Sequence, residues 1–90
     1  MPVYLDDFRV PWRGREWSHL IADSPAELHD FARRLGRTKL RFHHKRARPW
    51  KDHYDVPEEK REQAIGLGAK AITSREAAQM LRARRLALRD

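Results

Sequence analysis

The chain has no cysteine. That excludes disulfides and thiolate-bound metal, and it leaves histidines and carboxylates drawn from several elements as the metal ligands available. No apolar run approaches the roughly 18 residues that a membrane span needs. Residues 1–9 lack the cationic-then-apolar order of a secretory leader, so a cytoplasmic protein without membrane contact is the expectation. There is no internal repeat, no low-complexity segment, and no motif for a nucleophilic serine. The Gly66-x-Gly68 pair reads as a helix stop rather than a phosphate loop. The most informative absence is of acid: residues 31–51 hold no Asp or Glu but contain nine Lys or Arg.

What is present fits one small domain spanning residues 1–90. A chain of this length buries only roughly 60–65% of the surface its unfolded form exposes, so the core is thin. Three Trp, three Phe and periodic Leu and Ile nevertheless argue for folding over disorder. Net charge is +7, and a one-sign field of this kind favours polyanions: nucleic acid, a nucleotide or an acidic partner. A thin core with an exposed Trp is also compatible with a homodimer.

Periodicity predicts short strands at Val3–Asp7, Glu16–Ala22, Lys39–Phe42 and Ala69–Ile72. On the second, Trp17, His19 and Ile21 share one face and Ser18 and Leu20 the other, so Ser18 and His19 do not form a dyad. On the third, Leu40 and Phe42 are expected to face inward. Three capping boxes predict helix starts: Ser24 with Glu27, Asp55 with Glu58, and Thr73 with Glu76. The first helix runs from Pro25 to Leu35, with Leu28, Phe31, Ala32 and Leu35 as its buried stripe and Gly36 as its stop. The second runs from about Pro57 to Leu67 and puts Arg61 beside Ala64 and Ile65, where a guanidinium needs a carboxylate or a ligand phosphate. The third packs Ala77, Leu81 and Leu88, with Arg75, Arg82, Arg85 and Arg89 alongside. The order β-β-α-β-α-β-α predicts a small α/β domain with a mostly parallel short sheet and three helices.

In such a sheet, ligands bind outside the carboxyl ends of the strands. Those ends deliver Asp6 and Asp7, then His43 and His44, then Ser74 and Arg75, with His53, Tyr54 and Asp55 at the same edge. The stretch from Phe42 to Glu58 concentrates titratable and cationic side chains beyond what a connection requires. Arg41, Lys45, Arg46, Arg48 and Lys51 are the expected contacts to a nucleic-acid backbone, with Trp50 offering a stacking surface. Arg61, Arg75 and Ser74 are the expected phosphate contacts, oriented by His53 and Tyr54. Asp6, His19, His53 and Asp55 form a second pattern suited to a divalent metal. Three functions follow: a phosphate-recognising module for nucleic acid or a nucleotide, a metal-dependent phosphoester hydrolase or nuclease, and a non-catalytic adaptor for an acidic protein.

Several short motifs also occur together. Val3-Tyr4-Leu5-Asp6, Trp17-Ser18-His19-Leu20, Glu27-Leu28-His29, Phe31-Ala32, Leu35-Gly36 and His53-Tyr54-Asp55-Val56 are the first group. Lys60-Arg61, Ala64-Ile65, Leu67-Gly68-Ala69 and Thr73-Ser74-Arg75-Glu76 complete it. In combination they resemble the DUF4031 family, small bacterial and phage domains of unknown function. Some members are joined to an HD-type phosphohydrolase domain, so the resemblance implies a nucleotide or nucleic-acid setting without assigning an activity. His19, His29, His53, Tyr54, Asp55, Arg61 and Arg75 match its motifs. Phe42-His43-His44 and the basic segment after it depart from the aromatic-Phe-Gln pattern of the relatives.

Overall fold

The computed structural model describes residues 2–87. Strands β1 (Val3–Leu5), β2 (Val10–Trp12), β3 (Arg15–Ala22), β4 (Arg41–His43), β5 (His53–Pro57) and β6 (Lys70–Ala71) form one mixed sheet in the order β4-β5-β3-β1-β6, with β2 also on β3. Helices α1 (Pro25–Leu35), α2 (Arg61–Gly66) and α3 (Ser74–Ala87) complete the fold. The α/β class stands, but the expected parallel sheet does not. Only β1 and β6 pair in parallel, and the other four pairings are antiparallel.

The reason is local. Arg13 (φ 50°) and Gly14 (φ 72°) both take the left-handed conformation, the requirement of a two-residue turn whose twist suits an antiparallel hairpin. That turn joins β2 to β3. Further on, the Asp55 capping box is absent, because residues 53–57 are strand. The residue before a proline is pushed toward extended backbone, and Val56 before Pro57 obeys that bias. Asp55 therefore lies within β5, opposite His19 of β3 and Arg41 of β4. Helix α2 starts only at Arg61, after a 3-10 turn at Glu58–Lys60.

Of the other two boxes, the Thr73 box forms in full and the Ser24 box forms only its cap half, with Glu27 Oε2 buried without a partner among the described residues. Ser24 Oγ accepts from Glu27 N at 3.2 Å. Thr73 and Glu76 each accept the other's backbone N–H, at 3.0 and 2.9 Å. Helix α1 buries Leu28, Phe31, Ala32 and Leu35 and ends at Gly36 (φ 94°), whose N–H returns to Ala32 O. These residues pack on Val3, Leu5, Leu20, Ala22, Tyr54 and Val56, which alternate along the strands onto one face of the sheet. Leu40 packs against that core, but Phe42 is 43% exposed. Its strand is the sheet edge, and of the helices α1 reaches it through His29 at a ring separation of 4.8 Å. In α3, Ala77 is buried; Leu88 and Arg89 lie outside the described residues. No described helix is long and apolar enough to cross a membrane.

Candidate metal and phosphate site

Strand alternation sends Leu20, Tyr54 and Val56 into the core, so it sends their neighbours His19, His53 and Asp55 to the other face. Cross-strand pairing then brings His19 opposite Asp55, and His43 opposite His53. One ligand atom from each of His19, His53 and Asp55 lies within 4.8 Å of the other two. The rings of His43 and His53 stack at 5.0 Å, and His19 meets His53 edge-on at 4.9 Å.

The two ligand-like histidines are each anchored through Nδ1. At the end of β1 the backbone swings away after Asp6, whose N–H still bonds His19 O at 3.1 Å. The Asp6 carboxylate is 2% exposed and accepts from His19 N at 2.9 Å, Phe8 N at 3.3 Å and His19 Nδ1 at 2.7 Å. A carboxylate so placed only accepts, so the His19 proton sits on Nδ1 and Nε2 is free. His53 repeats the arrangement with a different partner: its Nδ1 donates to Lys51 O at 2.7 Å. A histidine that ligates metal through one nitrogen almost always donates the other N–H to a carboxylate or a carbonyl. Both histidines here do so.

Asp55 is crowded by nitrogen. His43 Nε2 lies 2.7 Å from Oδ2 and His53 Nε2 3.2 Å from Oδ1, yet the buried His43 Nε2 has no hydrogen-bond partner among the described residues. The contact is one of charge without direction. Burial pushes the Asp55 carboxyl up, but the hydrogen bond from His53 and the charges of His43, His53 and His19 outweigh it and hold the group below its ordinary value. His19 is raised, chiefly by its hydrogen bond to Asp6, against the opposing effect of burial.

Around these groups lies a cavity of about 240 Å³ lined by Val10, Trp12, Trp17, His19, Arg41, His43, His53 and Asp55. Its aromatic wall is fixed by Trp17 Nε1 donating to Trp12 O at 2.9 Å. The Arg41 guanidinium lies 3.9 Å from the Trp12 ring centroid, a cation–π contact that steers it along this face. A second cavity of about 200 Å³, lined by Lys45, Arg48 and Lys51, shares His43 and His53 with the first.

The expected site residues divide accordingly. His19, His53 and Asp55 converge, and Asp6 stands behind His19 as its positioning partner. Arg41, Lys45, Arg48 and Lys51 reach the adjoining cavities, while Arg46 is exposed and lines neither. Tyr54 points to the opposite face, where it is buried and bonded to His29 Nδ1 at 2.8 Å. Trp50 lines a different cavity with Leu28 and Arg84, and Arg85 lies 5.7 Å from its ring. Ser74 N is taken by Asp7 Oδ1 at 2.6 Å, and Arg75 is exposed on α3. Arg61 donates to Asp6 O at 2.7 Å and to Ser18 Oγ at 2.5 Å. The Ser18 hydroxyl in turn donates to Phe8 O at 2.8 Å. Arg61 thus latches the loop that carries Asp6. His43 and Trp12 were not among the expected ligands, and the signal for His43 was its placement two residues after Arg41 on a strand of period two.

Comparison with known proteins adds one match. A family model described as "Protein of unknown function (DUF4031)" matches residues 3–84. No curated protein and no solved structure matches the chain.

Proposed function

Since the chain belongs to the DUF4031 family, whose description assigns no activity, its chemistry has to come from the site itself, and we propose a divalent-metal-dependent phosphoester hydrolase. The observation that carries this reading is the paired anchoring of Nδ1 in His19 and His53. His19 and His53 each donate Nδ1–H to a fixed oxygen, so Nε2 is the nitrogen each leaves for a metal beside the Asp55 carboxylate, where an ion would displace the proton that His53 Nε2 gives to Asp55. Two imidazoles and one carboxylate suit a first-row divalent ion with open positions for substrate and water. Such an ion supplies Lewis-acid stabilisation of the phosphoryl group and lowers the pKa of water.

The chain's own residues do the rest. Asp6 keeps the His19 ring oriented, and the Lys51 carbonyl does the same for His53. Arg41, steered by Trp12, neutralises charge on the phosphoryl oxygens. Hydrolysis adds water across the P–O ester bond, and the departing alkoxide needs a proton. His43 Nε2, 2.7 Å from Asp55 Oδ2 and without a hydrogen-bond partner among the described residues, carries it in this reading.

The test is calorimetric titration of chelator-stripped protein with Mn²⁺ and Zn²⁺, followed by turnover of bis(p-nitrophenyl) phosphate. Saturable uptake of about one ion, lost in His19→Ala and His53→Ala, supports the proposal. No uptake, or uptake unchanged in both variants, refutes it.

The acid-free segment 31–51 favours a second reading, a phosphate-recognising module for nucleic acid or a nucleotide that binds without turnover. Uptake of metal and of polyanion with no hydrolysis of any phosphoester would select it.

A further inference from the structure

The loop between β4 and β5 is built from consecutive three-residue turns. Arg48 N bonds Lys45 O at 2.8 Å, and Lys51 N bonds Arg48 O at 3.0 Å. Lys45, Arg48 and Lys51, the residues these turns link, all line the same cavity. No ion pair among the described residues engages any of the three. The loop is anchored to the neighbouring site, because Lys51 supplies the carbonyl that accepts from His53 Nδ1. The wall separating the two cavities is the stacked pair His43 and His53, whose ring planes are 7° apart.

We infer that this cationic cavity receives the phosphate next along a single nucleic-acid strand whose scissile phosphate lies in the His19–His53–Asp55 cavity. The inference rests on the phosphoester reading of that cavity and names its substrate class. Three cations converging on one opening suit a phosphate rather than a carboxylate-bearing surface spread over a face. A two-ring wall must be straddled by the ligand. Phosphates joined through one shared oxygen, as in a nucleoside triphosphate, are too close to lie on either side of it. Phosphates separated by a sugar are not. A flexible single strand can dip into both cavities, whereas a duplex presents its phosphates on a stiff backbone.

The test is fluorescence anisotropy of a labelled single-stranded oligonucleotide across a salt series, in excess Ca²⁺, for the wild type and Lys45→Ala/Arg48→Ala/Lys51→Ala. All three side chains are exposed, so the triple variant is expected to fold, and far-UV circular dichroism checks it. The expected result is a loss of affinity of about tenfold or more. The slope of log K against log salt should become shallower by about 0.7, the value for a single phosphate on a single strand. A slope change of about 2 would signify three independent contacts on an open surface and would overturn the inference. So would an unchanged slope, no binding by the wild type, equal affinity for the matching duplex, or complete competition by inorganic pyrophosphate at the oligonucleotide's own concentration. Failure of the parent reading is seen separately, in the metal titration. A protein that takes up no ion loses the hydrolase assignment whatever its salt slope.

Discussion

Replacing Asp6 by Asn tests the site at its most buried point while changing almost no volume. The Asn carbonyl can still accept from His19 N and Phe8 N. What changes is the atom facing His19 Nδ1: an oxygen that only accepts becomes an NH2 that only donates. Nδ1 must then accept, the ring proton moves to Nε2, and the lone pair that faces the cavity is lost. Removal of a partner of this kind typically costs 10–100-fold in metal affinity, which calorimetry with Mn²⁺ or Zn²⁺ reads directly. The metal-free protein also loses a charge-assisted hydrogen bond worth about 1.5–3 kcal/mol. At about 4–8 °C per kcal/mol for a domain of this size, Tm should fall by about 6–24 °C.

The pH dependence of that loss has a definite sign. His19 is raised above its ordinary value of 6.5 in the folded protein, chiefly by Asp6. The charged pair therefore contributes its full stability below pH 6.5 and loses it as pH rises through the raised folded value. In the presence of a chelator, the gap in Tm between wild type and Asp6→Asn should be widest below pH 6.5 and narrow above it. A variant that binds metal as tightly as the wild type, or whose His19 resonance titrates unchanged in an NMR pH series, would refute the tautomer argument.

Other perturbations separate scaffold from site. Arg61→Ala leaves Asp6 O without its donor and should cost about 1–3 kcal/mol in urea unfolding. Arg75→Ala, on an exposed position, should stay within about 0.5 kcal/mol; equal losses would contradict the latch role of Arg61. Asp55 is held below its ordinary value of 3.8, so its contribution is present above pH 3.8 and disappears as pH falls through the lowered folded value. Metal-free Asp55→Asn should accordingly show a shallower acid dependence of the urea midpoint, and an unchanged slope would contradict the assignment. Leu20→Ala, at a position with no exposure, should cost about 2–5 kcal/mol, and a loss below 1 kcal/mol would show that the sheet face is not packed as described.

Much of the local structure was legible because it is written in short-range chemistry. Ser24 and Thr73 cap where their spacing to glutamate requires, and Leu28, Phe31, Ala32 and Leu35 recur at the helical period and are buried. The Asp55–Glu58 box has the same spacing and fails. Tyr54 and Val56 gain more from burial on the sheet than one capped turn offers, and Pro57 favours extended backbone just before it. That one misreading moved Asp55 from a helix cap to the middle of a strand and turned an expected crossover into a hairpin. The candidate site suffered less, since Asp6, His19, His53 and Asp55 were already grouped by chemistry. Tyr54 was grouped with His53 by adjacency, whereas a strand sends adjacent side chains to opposite faces.

Composition alone determined that any metal site here is built from histidine and carboxylate, that residues 31–51 carry nine cations and no acid, and that the core is small. Those conclusions depend on which groups exist and need no knowledge of where they lie. Family membership was equally legible, because it depends on the order of motifs along the chain. Tertiary structure decided which residues meet. The antiparallel register of β3, β4 and β5 placed His19 against Asp55 and His43 against His53, pairings between residues 10 to 36 positions apart. It also chose the oxygen that fixes each imidazole proton, a carboxylate for His19 and a loop carbonyl for His53. Register is set by the sum of many weak burial preferences across both faces of a sheet, and no local window contains that sum.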